Sequence, residues 1–75
     1  MNKMMILAIL VAYKAFNDKS LTIRVNEPDF KYVVDNIVIE SIDNDTVTVL
    51  SYANDDYYGR TIINIDDIVG IQFQK

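Results

Sequence analysis

Seventy-five residues, 51% of them apolar, with a net charge of −4 and neither cysteine nor histidine, make one small domain near the lower size limit of a single hydrophobic core. This composition excludes a disulfide framework, a thiolate or imidazole metal site, and the usual histidine general base. One proline and two glycines are too few for a disordered tail.

The charge is unevenly placed. Residues 1–34 carry five basic side chains (Lys3, Lys14, Lys19, Arg24, Lys31) against three acids, and residues 35–75 carry eight acids against Arg60 and Lys75. Binding to free nucleic acid rests on Lys and Arg neutralising phosphates, so the C-terminal half is a poor phosphate surface. Its acids read as solvated loop tips.

The chain starts with its most apolar segment, "MMILAILVAY", Met4 to Tyr13, between Lys3 and Lys14. Ten residues are well short of the ~20 that span a bilayer as a helix, and no A-x-A cleavage site follows. We expect no membrane span and a cytoplasmic location. Ala, Leu and Met favour a helix, with Ile6, Ile9, Leu10 and Tyr13 on one face. The alternative is a long buried strand running to Phe16 and turned at Asn17 to Ser20. The helix is preferred. Either form is too apolar to be left in water, and we expect the face of Ile6, Ile9, Leu10 and Tyr13 to drive homo-oligomer formation.

From residue 21 the pattern is β. In "LTIRV", Leu21, Ile23 and Val25 alternate with Thr22 and Arg24, and Pro28 in "NEPDF" breaks the strand. "NIVIESI" points Ile37 and Ile39 inward and Glu40 outward. After the turn signal Asp43 to Asp45, "TVTVLSY" points Val47 and Val49 inward. The two runs form a hairpin. "ANDDYYG", Ala53 to Gly59, reads as a surface loop. "RTIINI" and "IVGIQF" follow, joined at Asp66 and Asp67. Asp-Asp is a poor type I′ turn, so a short 3₁₀ turn is expected there. One domain, 1–75, results: an apolar segment over 1–16 and a small five-stranded β-barrel over 21–73.

This layout resembles the Sm-like (LSm) family and, more broadly, the SH3-like small barrels. "SIDNDTVTVL", Ser41 to Leu50, looks like the first Sm signature, with Asp43 in place of its turn Asp. "NIDDIVGI", Asn64 to Ile71, looks like the second. The resemblance implies a closed five-stranded barrel with an N-terminal helix. The positions matching the family's RNA contacts are Val47, Asn64 and Ile65. None supplies the edge contact, stacking plane or positive charge that single-stranded RNA readout needs, so nucleic acid is not an expected partner.

No catalytic constellation is visible. An EF-hand loop from Asp43 needs Gly at its sixth position and Glu at its twelfth, where the chain has Thr48 and Asn54. No glycine-rich phosphate loop or activated nucleophile is present. We expect no enzyme activity, metal or cofactor. The feature that stands out is "YANDDYYGR". Tyr52, Tyr57 and Tyr58 surround Asp55 and Asp56, with Arg60 beyond, and tyrosine is enriched at interfaces because it is large, rigid and polar at its tip. Phe30 and Tyr32 are candidates to extend that surface. The expected function is a non-enzymatic interaction or assembly module that self-associates through the N-terminal run or the exposed edges of the last two strands and touches another protein, as a regulator or inhibitor does. The alternatives are an Sm-like nucleic-acid binder, an acidic nucleic-acid mimic, and a protein sequestering a small ligand between subunits.

Overall fold

The apolar run is helical in the computed structural model, which describes residues 2–15 and 19–73. Helix α1 spans Lys3–Tyr13. The Asn2 side chain caps its start by accepting from the Met5 N–H at 3.0 Å, which satisfies one of the donors a helix leaves orphaned. The last turn tightens, with the Lys14 N–H donating to the Val11 carbonyl at 3.3 Å. Of the alternative turn at Asn17 to Ser20, Asn17 and Asp18 lie outside the described residues.

One side of α1 is in the core. Ile6 and Leu10 are fully buried, and Leu7 and Tyr13 pack against the same cluster. Leu7 thus takes the place expected for Ile9, which is half-buried beside it. Asn2→Ala is expected to lower stability by about 1 kcal/mol, read as a lower urea midpoint with an unchanged slope.

Five strands follow: β1 (Leu21–Glu27), β2 (Phe30–Ile42), β3 (Thr46–Ala53), β4 (Asp56–Asn64) and β5 (Ile68–Phe73), with a 3₁₀ turn at Ile65–Asp67. The protein is mainly β, with one antiparallel sheet in the order β4-β3-β2-β1-β5. Every ladder contains a register shift, and bulges of this kind bend a strand and increase its twist. On β2 the extra residue lies near Asn36, whose φ of 54° is a left-handed geometry that asparagine tolerates. The shift moves the inward phase from Tyr32 and Val34 to Ile37 and Ile39.

The bent sheet places residues from all five strands in one cluster. Leu21, Ile23, Val25, Ile37, Ile39, Val47, Val49, Ile63, Ile65 and Ile68 bury against Ile6 and Leu10 of the helix. The alternation expected for the first three apolar runs is present. Thr22, expected to face outward, is nonetheless buried, and its hydroxyl donates to Asp35 at 2.9 Å.

Two expectations about the strands are corrected. β2 begins at Phe30 rather than Asn36, because Pro28 and Asp29 form only the tip of a β1–β2 hairpin and "FKYVV" goes on pairing with β1. The expected loop from Ala53 to Gly59 is a second tight hairpin. Ala53 pairs with Asp56, and Asn54 turns the chain at φ 59°.

The expectation of a closed barrel is also corrected. β4 and β5 stand at opposite ends of the strand order with no ladder between them. The 3₁₀ turn carries the chain from β4 past the core to the far side of β1, and α1 packs against β2 and that turn. Ile6 and Leu10 of α1 complete the core in place of a β4–β5 ladder. The sheet is curled and open.

Both ends of α1 are tied down. Lys3 Nζ meets Asp45 at 2.8 Å and Asp66 at 3.8 Å, and the Tyr13 ring lies 5.6 Å from that of Phe73. The hydrogen bond to Asp45 raises the Lys3 pKa, and burial followed by nearby Glu27 raises that of Tyr32. A raised folded-state pKa adds stability that is complete below the unfolded value and lost as pH rises through the folded one. The alkaline arm of the stability profile, above the ordinary tyrosine and lysine ranges, is therefore expected to flatten in Lys3→Gln and Tyr32→Phe. Denaturation at stepped pH measures it.

Candidate interaction surface

The tyrosine hairpin forms where β3 turns into β4. Tyr52 and Tyr57 are cross-strand partners, and their rings meet edge to face at 5.9 Å, a favoured aromatic geometry. Lys19 Nζ sits 4.9 Å above the Tyr52 ring and 3.2 Å from Asp55. Tyr52 is thus half-buried between a cation and a second ring, and fastens the hairpin to the segment leading into β1. Arg60 pairs with Glu40 at 3.0 Å across β3, and that carboxylate raises the Arg60 pKa.

The six residues expected at a partner site therefore divide. Tyr52 is held under Lys19, while Asp55 and Arg60 make ion pairs at the surface. Asp56, Tyr57 and Tyr58 face solvent, the two tyrosines 54% and 69% exposed. Tyr58 is the extra residue of the β3–β4 bulge, and bulges re-aim side chains in this way. Phe30 and Tyr32 do not join this cluster. They stack on each other at 5.6 Å in the β1–β2 hairpin, where the Tyr32 hydroxyl donates to Glu27 at 3.3 Å.

The face expected to self-associate lies elsewhere. Ile6 and Leu10 are 1% and 0% exposed, so they complete the chain's own core and cannot reach a second copy. The apolar residues that α1 leaves in solvent are Met4, Met5, Ala8, Val11 and Ala12.

The exposed edges expected of the last two strands are present, and they carry apolar side chains. Among the described residues, β4 pairs only with β3 and β5 only with β1. Ile62 on β4 is 65% exposed and Val69 on β5 is 53% exposed. Long apolar edges usually carry charges or a cover, because unpaired N–H and C=O groups are a template for another strand. Beside the β5 edge, Val69, Val33 and the exposed Arg24 line a shallow groove of about 320 Å³ with Lys31 at its end. The clue in the sequence was the outward phase of "RTIINI" and "IVGIQF", where Ile62 and Val69 stand at positions a half-exposed strand gives to polar residues.

The positions matching the Sm nucleotide contacts have other duties. Val47 is 0% exposed in the core. The Asn64 side chain caps the 3₁₀ turn by accepting from the Asp66 N–H at 3.2 Å, and Ile65 is buried. Asp43 likewise serves its turn, its side chain accepting from the Asp45 N–H at 3.2 Å. No cluster of three or more metal-ligating side chains occurs among the described residues, and no helix among them is long and apolar enough to cross a membrane.

In comparisons with known proteins, no family model matches the chain, and no curated protein or solved structure matches it.

Proposed function

We propose that this protein is a non-enzymatic assembly module of the Sm-like and SH3-like kind, which joins copies of itself by pairing the β4 edge of one copy with the β5 edge of the next. The single observation that carries this reading is the pair of unpaired edges bearing exposed Ile62 and Val69. The helix, the five strands and the 3₁₀ corner before the last strand support the kinship.

Unlike edges are the better match. β4 begins at the acidic Asp55–Asp56 turn and β5 lies beside Arg24, so unlike edges are the pair whose charges differ in sign. A head-to-tail contact of this type closes into a ring or runs on as a filament. Tyr57 and Tyr58, on the same strand as Ile62, add rigid aromatic area. The burial of Val47 and the capping role of Asn64 support assembly over RNA binding.

Light scattering of the purified chain tests this reading. A mass at a multiple of the 8.6 kDa chain is expected, and a monomer at every concentration overturns it.

A further inference from the structure

An apolar helix needs cover on more than one side, and α1 has cover on one. No charged residue lies between Lys3 and Lys14, yet Met4 is 76% exposed, Met5 55% and Val11 62%, with Ala8 and Ala12 exposed among them. From this outer face we infer that α1 is a second self-association surface, on which the α1 helices of two copies pack antiparallel about a two-fold axis at Ala8.

Three observations select a second copy as the occupant. The first is shape. Ala8 is the midpoint of Lys3–Tyr13, so an axis there sets Met4 against the partner's Ala12, Met5 against the partner's Val11, and Ala8 against its own counterpart. Met4 meets the small Ala12, Met5 and Val11 supply apolar area, and the alanines let the backbones approach.

The second is charge. At the N-terminal end of α1, one cation, Lys3, faces two carboxylates, Asp45 and Asp66. At the other end Lys14 is exposed and forms no ion pair among the described residues. The antiparallel arrangement carries each Lys14 to the acidic end of the other helix, and the two helix dipoles also oppose.

The third is the kind of surface excluded. A chain of net charge −4 is repelled by an anionic bilayer, and interfacial helices carry many cations on their polar face. Here two lysines flank the run, one of them already paired.

The contact is small. A helix of 11 residues is only ~16 Å long, so the pair falls at the low end of stable interface sizes. It is a reversible junction, separate from the strand edges. If edges form a ring or filament, the helices join two such assemblies back to back.

Val11→Glu tests it, because Val11 lies outside the core and the variant keeps its fold by circular dichroism. The expected result is a halved solution mass, with at least a ~10-fold weaker helix junction, as expected for a charge placed in a desolvated contact. Lys14→Glu is expected to weaken the junction, and adding Asp66→Lys is expected to restore it. An unchanged mass in Val11→Glu overturns the inference. So does sedimentation with phosphatidylcholine or phosphatidylserine vesicles that Val11→Glu abolishes, which assigns the face to lipid. The edge reading fails separately: a wild-type dimer sensitive to Val11→Glu but not to Ile62→Lys leaves only the helix junction.

Discussion

Val47→Asn is expected to lower the stability of the folded chain by about 3 kcal/mol or more, combining a lost apolar side chain with a buried, unpartnered amide. Val47 is 0% exposed, pairs across the sheet with Ile63 and Ile42, and shares one core cluster with Val49 and Ile39. A chain of 75 residues has roughly 4–11 kcal/mol in total at the usual 0.05–0.15 kcal/mol per residue, so the loss is a large fraction of the whole. The substitution installs the residue type that the resembled Sm signature uses to hold a base. Urea unfolding measures the outcome as a lower midpoint with an unchanged slope. A variant with wild-type stability that gained affinity for oligoribonucleotides would show Val47 to be a disabled contact position, not a core residue.

Ile62→Lys is expected to leave the single chain folded and to take the assembly apart. Ile62 is 65% exposed, and substitutions at such positions usually change stability by within about 0.5 kcal/mol. In a paired edge the same change puts an ammonium into a desolvated strip. Losing about 2 kcal/mol there is a ~30-fold weaker junction. Val69→Lys on the β5 edge is expected to act alike. The two variants also distinguish the kind of contact. In a Val11→Glu background, which removes the helix junction, Ile62→Lys chains retain a working β5 edge and Val69→Lys chains a working β4 edge, so an equal mixture forms one good junction and stops at a heterodimer. Light scattering of the mixture reads this directly. A mixture that stays monomeric, or either variant with the wild-type mass, rules out unlike-edge pairing.

Those expectations depend on which side chains were legible before the fold was known. Alternation in "LTIRV" and "TVTVL" placed Leu21, Ile23, Val25, Val47 and Val49 inward, because period-2 burial is local. The 3₁₀ corner at Asp66 and Asp67 was legible because Asp-Asp fits poorly at positive φ. "DFKYVV" and "DDYYG" were misread as non-strand. Their tips hold Pro28 and Asn54, strong turn residues, but the pairing that recruits Phe30 and Tyr57 into strands comes from β1 and β3. That Tyr52, Tyr57 and Tyr58 gather at one turn was legible from their spacing, while their division into fastening and exposed members was not. Lys19, far from Tyr52 in sequence, decides that Tyr52 and Asp55 are held.

What the residues determined alone was class and inward phase: a small, mainly β domain with an apolar N-terminal segment and no sulfur or imidazole chemistry. The physical reason is that propensity, capping and alternation act over a few neighbours. The tertiary structure decided the rest. It selected Ile6 and Leu10 as the core side of a helix that is apolar nearly all round, since only packing against the sheet can single out one face. It left β4 and β5 unpaired, since whether the two ends of a sheet meet depends on the twist and bulges of every ladder between them.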